Sequence, residues 1–572
     1  MLAEGTDREW WREAVVYQIY PWSFNDTDGD GIGDLAGIVE KLDYLECLGV
    51  DVVWLNPVYE SPQVDNGYDI SNYRAIHEQF GTMAEWERLL EGLHDRDMRL
   101  IMDLAVNHTS DQHHWFQESR RDPGGRLGDY YIWHEGRAAD AERHGETPGP
   151  PARAPPNNWE SHFGGSAWAW DDERGEYYLH LYHERQPDLN WANPDVREEV
   201  YELMEWWLEK GIDGFRLDVI NLVSKPDTLP DGDPQADWVG SEHFVDGPHA
   251  TEYLEEMSDR VLSRYDVVIV GEMPEVTVEK AREYTGPNGP LDMVFSFEHV
   301  QLDFGDTGRW AIGEWSLPEL KAVVSRWQTG LAGDAWASVF FENHDQPRVV
   351  SRFGDDEQFR RASATCIGTL LLTLRGTPFV YQGQELGMTN CSFESLDALR
   401  DVDTIQNVRM LMEERGITDY AEVRDLVEHR SRDNARTPMQ WDATENAGFT
   451  TGDPWLPANP NHREINVADA SDEPDSVLNY YRSLVALRHA TDTLVYGEYD
   501  LLFPDHESIY AYTRTLDDDD ILVVLNFDDV DTTIEIPDLG PDADLLLANY
   551  DADATPEGAL DLRPYEARVY RR

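Results

Sequence analysis

Eight short apolar runs, each about strand length, recur along the chain with helix-like segments between them. They are VVYQIY (15–20), VDVVWL (50–55), RLIMDLAVNH (99–108), GFRLDVI (214–220), VVIVGEM (267–273), DMVFSF (292–297), ASVFFENHD (337–345) and TPFVYQGQE (377–385). Their β-branched and aromatic content favours buried strands over helices. Segments such as LAGIVEKLDYLECLG (35–49), AEWERLLEGLHDRD (84–97) and NPDVREEVYELMEWWLEKG (193–211) lie between them and read as helices. NPDV opens its helix with an Asn cap and a proline at the first position. Eight strands alternating with helices predict an α/β fold, a parallel sheet closed into a (β/α)8 TIM barrel.

Two stretches break the alternation. From Thr109 to about Tyr182 there is no barrel pattern, only a Pro/Gly/Arg-rich loop (HGETPGPPARAPPNNW, 144–159) and scattered aromatics. A small domain inserted after the third strand is expected there, on the rim that shapes a barrel's active site. After SVLNYYRSLVALRHATD (476–492), the runs YGEYDLLF, SIYAYTRT, DILVVLNF and ARVYRR alternate apolar and polar residues, with the turn cluster LDDDD (516–520) among them. That pattern predicts a C-terminal antiparallel β-sandwich. The expected division is barrel over 1–108 and 183–494, insertion over 109–182 and sandwich over 495–572.

Charge narrows the partners. With 113 acidic and 46 basic residues the net charge is −67. Such a surface repels phosphate backbones and anionic lipid, so nucleic acid and membranes are not expected partners. The acid is spread along the whole chain, and only five lysines occur. A folded protein this negative repels itself in dilute buffer, whereas in molar salt the Debye length shrinks to ~3 Å. The composition reads as adaptation to concentrated salt, the mark of a halophile. Cys47, Cys366 and Cys391 stand far apart and offer neither a disulfide framework nor a metal pattern. No run approaches the ~18 apolar residues of a membrane helix, and the acidic N-terminus has no signal-peptide pattern. A cytoplasmic monomer or small homo-oligomer is expected.

Four strands end in polar clusters: Asp103, Asn107 and His108 on the third, Arg216 and Asp218 on the fourth, Glu272 on the fifth, and Asn343, His344 and Asp345 on the seventh. All strand ends of a barrel converge on one face, where such groups do chemistry. Several carboxylates with no cysteine or metal-ligand set suggest glycoside hydrolysis by a nucleophile and a general acid. Arg216 and Asp218 are two apart on a strand and face the same way, so the arginine is placed to hold the nucleophile ionised.

The matching stretches GYDISNY (67–73), DLAVNH (103–108), QPDLNW (186–191), GFRLDVIN (214–221), GEMPE (271–275), ENHDQPR (342–348), TPFVYQGQELGM (377–388) and SRDNARTPMQWD (431–442) occur in one order along the chain. Together they resemble the α-amylase superfamily, glycoside hydrolase family 13, and within it the oligo-1,6-glucosidase/α-glucosidase group. The resemblance implies a retaining exo-α-glucosidase acting on short oligosaccharides, with no cofactor for catalysis. It implies Asp218 as nucleophile, Glu272 as general acid/base and Asp345 as transition-state stabiliser. His108, Arg216 and His344 would support charge in the glucose subsite. Asp69 would bind the terminal glucose together with Arg432 or Arg436, and Tyr68 and Phe163 would stack on the sugar. Glu342 departs from the neutral residue expected before Asn343, and is expected to face away from the site.

NDTDGDGIGDL (25–35) alternates Asp26, Asp28, Asp30 and Asp34 with small residues, like the first half of a calcium loop. The resemblance implies a structural Ca2+ or Mg2+ there, with the Ile32 carbonyl as a further ligand. Val219, directly after the nucleophile, is read either as a selector for α-1,6 over α-1,4 linkages or as a residue that simply suits a strand. Trehalose-6-phosphate hydrolysis, sucrose isomerisation and a non-catalytic transporter subunit are the alternatives. The absence of arginine from FEHVQLDFGDTG (297–308) argues against the isomerase.

Overall fold

All eight apolar runs form parallel strands: β1 (Val16–Ile19), β2 (Val52–Leu55), β3 (Arg99–Ala105), β4 (Gly214–Asp218), β5 (Val268–Glu272), β6 (Met293–Phe295), β7 (Ser338–Val339) and β8 (Thr377–Tyr381). This computed structural model describes residues 8–138, 153–537, 539–540, 542–552 and 559–572. The first part of the Pro/Gly-rich loop, 144–152, lies outside them.

Hydrogen bonding runs β6-β5-β4-β3-β2-β1-β8-β7, so the barrel is laced at seven of its eight joints and nearly closed. Alternation along the strands sorts the core into two layers. Val16, Val52, Trp54, Ile101, Val270, Met293 and Phe379 fill the inside of the barrel. Their neighbours Tyr17, Val53, Leu55, Leu100 and Ile269 point outward under the helices. The Asn193 cap is present: its side chain accepts from the Asp195 amide, with Pro194 at the first turn of the helix Pro194–Glu209.

The insertion carries a three-stranded sheet of Trp133–His134, Glu176–Leu179 and Trp168–Asp171. Its apolar residues Trp159, Trp168, Leu179 and Leu181 share one cluster with Val219 and Leu222, so it packs on the segment that follows β4. The C-terminal region forms a five-stranded antiparallel sheet, and Thr532–Glu535 pairs with Ala559–Leu562 against its inner face. LDDDD becomes the tight turn between Ile509–Leu516 and Asp519–Asn526.

Two buried cations join barrel and sheet, one from each side. Arg514, on the sheet, donates to the carbonyls of Thr373, Leu494 and Gly497. Lys321, on the barrel helix Leu317–Gly330, donates to the carbonyls of Phe503 (2.8 Å), His506 (2.6 Å) and Ile509 (3.1 Å). Arg488 adds bonds to the carbonyls of Leu372 and Leu374 at the end of another barrel helix. Those carbonyls lie where a helix runs out of its own donors.

Candidate active site

Parallel pairing sets Arg216 of β4 beside Asp103 of β3, and the ends of β4 and β5 lie side by side. The two-residue spacing then turns Arg216 and Asp218 the same way. The Arg216 guanidinium, 1% exposed, bonds Asp218 Oδ1 and Asp103 Oδ1, each at 2.7 Å, through Nη1 and Glu272 Oε2 at 2.5 Å through Nη2. Nη1 and Nη2 of one guanidinium thus hold Asp218 and Glu272 side by side. Two carboxyls held by one guanidinium fit the close pair of a retaining site, ~5–5.5 Å apart.

One cation faces three carboxylates. Burial raises the Asp218 carboxyl well above the usual range, Arg216 opposes this, and Glu272 and Asp103 add to it. Burial likewise lifts Asp103 to about 6. The expectation that an arginine beside the nucleophile holds it ionised meets an opposing effect: burial and two neighbouring acids raise Asp218 against the pull of Arg216. A retaining glycosidase requires one protonated and one ionised carboxyl before its first step.

Asp345 is in the opposite state. Burial pushes its carboxyl up, but His344, Arg432, Arg436 and Arg216 more than reverse this and hold it well below the carboxylate range. Arg432 Nη1 reaches Asp345 Oδ1 at 3.0 Å and Arg436 Nη2 reaches the same oxygen at 2.7 Å. His344 is kept neutral by burial, with its pKa lowered to about 3. The Gln18 amide donates to its Nδ1, so Nε2–H faces the Tyr68 hydroxyl at 2.7 Å. That hydroxyl donates to Asp103 Oδ2 at 2.8 Å, and the Tyr68 ring stacks on His344.

The pairing expected of Asp69 is not found. Asp69 is fully buried and accepts from Ser61 Oγ and from the amides of Val64 and Asp65, which folds its own loop. Burial raises it to about 6. Asp65 faces the cavity instead, 3.3 Å from Arg432 Nη2 and 3.1 Å from the Gln186 amide. Neither Arg432 nor Arg436 is paired with Asp69; of the two, Arg432 reaches Asp65. Phe163 carries the Arg432 guanidinium over its ring at 5.3 Å and meets Tyr182 edge-on. His108 is buried and accepts from Gln186.

These groups line one cavity of ≈ 770 Å³, whose wall includes Asp65, Tyr68, His108, Phe163, Tyr182, Asp218, Val219, Glu272, Asp345 and Arg432. Glu342 is buried away from it, paired with Arg348 at 3.0 Å. Val219 lies one residue beyond β4 with φ +39°, so strand propensity does not explain it.

Sequence reasoning gave no role to Asp65, Tyr182 or Arg309, and placed Asp103 in a strand-end polar cluster without naming its partner. For Asp103 a signal existed: pairing β3 with β4 in register puts it directly beside Arg216. Arg309 stands one residue past the stretch read as free of arginine. It lines the cavity, bonded to the His162 carbonyl at 2.9 Å and paired with Asp403.

In the Asp-rich loop, carboxylate oxygens of Asp26, Asp28 and Asp34 lie within 4.8 Å of one another. Asp30 stands apart from this trio, and its Oδ1 accepts from the Ile32 amide at 2.8 Å.

Residues 18–497 match the α-amylase catalytic domain family, and residues 509–569 match the C-terminal domain of the α-amylase SusG. The chain is 52% identical to an oligo-1,6-glucosidase of Parageobacillus thermoglucosidasius, covering 99% of each. It is 47% identical to a trehalose-6-phosphate hydrolase of Bacillus subtilis, covering 98% of each. An isomaltulose synthase structure from Klebsiella sp. LX3 superposes with a TM-score of 0.92 at 42% identity, covering 99% of each chain. With strand-end carboxylates gathered on one arginine and these matches over the full length, the chain belongs to the α-amylase family of glycoside hydrolases.

Proposed function

We propose that the protein is a retaining exo-α-glucosidase that removes glucose from the non-reducing end of short α-glucosides, α-1,6-linked ones above all. The observation that carries this reading is the single arginine gripping both Asp218 and Glu272 at the floor of a cavity. Glu272 protonates the glycosidic oxygen while Asp218 attacks the anomeric carbon, and the leaving sugar departs. Glu272 then takes a proton from water, which displaces Asp218, and two inversions give retention. Asp345, held ionised, opposes the positive charge that develops on the ring.

The Asp65–Arg432–Asp345 chain supports exo action, because it forms a charged wall at the terminal glucose. The cavity's charge supports a neutral substrate. Nine carboxylates and four arginines line it. Each of those arginines is already paired: Arg309 with Asp403, Arg352 and Arg430 with Asp303, and Arg432 with Asp401. A phosphorylated disaccharide would meet net negative charge and, among the described residues, no free cation.

The test is a substrate series in concentrated salt. Isomaltose is expected to exceed maltose in kcat/KM by about 10-fold, the scale set by one apolar contact such as Val219. Trehalose-6-phosphate should be turned over at least about 100-fold less efficiently, since an unpaired buried charge is rejected strongly. Isomaltotriose blocked at its non-reducing end should not be cleaved. Preference for the phosphosugar, or cleavage of the blocked trisaccharide, would overturn the reading.

The Asp26–Asp28–Asp34 trio fits a hard cation, since all its donors are carboxylate oxygens. Ca2+ or Mg2+ there would brace the loop after β1. A chelator is then expected to lower the melting midpoint and added Ca2+ to restore it; a melt indifferent to both counts against the site. We also propose that the protein works in the cytoplasm of a salt-rich cell. The net charge supports the salt and the three unpaired cysteines support the compartment.

A further inference from the structure

Val219 is the one β-branched residue with positive φ among the described residues. A β-branched side chain in this region is strained, and strain is retained where surrounding structure enforces it. Here the enforcement is visible. The Val219 side chain is locked into the apolar cluster of the insertion with Leu222, Trp159 and Trp238. Its carbonyl accepts from the Leu222 amide and starts the short turn Ile220–Leu222. The chain thus turns sharply just past the nucleophile, and the Val219 amide comes to lie 3.3 Å from Glu272 Oε2.

We propose that the strained backbone at Val219 is a positioning device for the acid/base: its N–H fixes Glu272 Oε2, so that the proton given to the leaving sugar rides on Oε1. Oε2 already meets two donors, the Val219 amide and Arg216 Nη2. A third hydrogen on that oxygen would have to displace one of them, whereas Oε1 meets neither. The device also ties the acid to the nucleophile through the covalent bond between residues 218 and 219, so that each holds the other's place. This inference rests on Glu272 being the acid/base. The charged and titratable groups facing Glu272 are Arg216 and Asp218 from β4, Asp103 from β3 and Tyr182 from the insertion. All of them keep their places when only the amide is altered.

The direct test replaces the Val219 amide with an ester by incorporating the α-hydroxy analogue of valine at that position. One N–H disappears and the side chain stays. A donor to the ionised carboxylate favours that form, so its loss should favour the protonated one. The basic limb of kcat/KM for isomaltose is expected to move up by ~1 pH unit. An unmoved limb would overturn the proposal. A second pair of variants asks whether the backbone is strained at all. Val219→Gly is expected to melt above Val219→Ala, the reverse of their usual order in ordinary backbone. The usual order would mean that nothing holds position 219 at positive φ, and the proposal falls. Glu272→Gln separates the two layers of argument. If it is inactive while the ester leaves the limb in place, only the positioning role fails. If it is fully active, the acid/base assignment fails as well.

Discussion

Asp218→Asn and Glu272→Gln are each expected to lower kcat on isomaltose by about 10³-fold or more, a barrier increase of ~4 kcal/mol or above. Neither change should harm the fold. Both are nearly isosteric, and Asp218→Asn removes negative charge from a group of three acids sharing the Arg216 guanidinium. For Asp218 the sign can be worked through. Its pKa in the folded protein is raised by burial, and by Glu272 and Asp103 against the pull of Arg216. The folded state therefore binds this proton more tightly than the unfolded chain does. Stability falls as pH climbs from about 4, the unfolded value, through the raised one. At neutral pH the wild-type carboxyl costs stability, and Asn removes that cost. The melting midpoint of Asp218→Asn should equal or exceed that of wild type while turnover disappears, the opposition expected when a site is built for chemistry. Kinetics on isomaltose and thermal melts of the same samples check both halves. Near-wild-type turnover in either variant would remove the mechanism.

Salt should have the second largest effect. With a net charge of −67, like-charge repulsion outweighs any attraction that salt also weakens. At 0.1 M the Debye length is ~10 Å, long enough for neighbouring surface carboxylates to repel; at 1 M it is ~3 Å. The melting midpoint is expected to rise on the order of 10 °C between 0.1 M and multimolar KCl, and activity should rise with it. Circular dichroism melts across that range make the measurement. A midpoint that stays in place would show that the acidic surface is no adaptation to salt.

The barrel was legible because its signal is redundant. Eight buried strands must each be apolar, and no single misreading hides them. The three short strands Thr532–Glu535, Asp544–Ala548 and Ala559–Leu562 escaped notice, since each is only four or five residues long and gives too short a pattern to read. Within the site, residues on strands could be oriented by counting. Arg216 and Asp218 obey the two-residue period, and their 2.7 Å contact follows from it. Loop residues could not. Asp65 and Asp69 stand four apart in one tight loop, and Asn66 and Gly67 reverse the chain between them with φ +49° and +105°. That reversal turns Asp65 to the cavity and folds Asp69 back onto the amides of Val64 and Asp65. Spacing carries no trace of it. Val219 was opaque for the opposite reason: valine is the last residue from which a left-handed conformation would be guessed. Asp30 shares the alternating pattern of its loop, yet the carboxylate oxygens that come within 4.8 Å of one another are those of Asp26, Asp28 and Asp34.

The joint between barrel and C-terminal sheet bears on how this chain can be cut. Its cations meet main-chain carbonyls, and each half supplies what the other lacks. Removing the sheet would strip Arg514 from Thr373 and Leu494 and take from Lys321 its three carbonyl partners. It would also uncover the apolar cluster in which Tyr512, Val523 and Leu525 of the sheet pack with the barrel helices. The sheet is therefore no detachable module. A shortened enzyme, or a graft of this barrel onto a foreign C-terminal domain, would have to bring its own replacements for Arg514 and for the loop that receives Lys321.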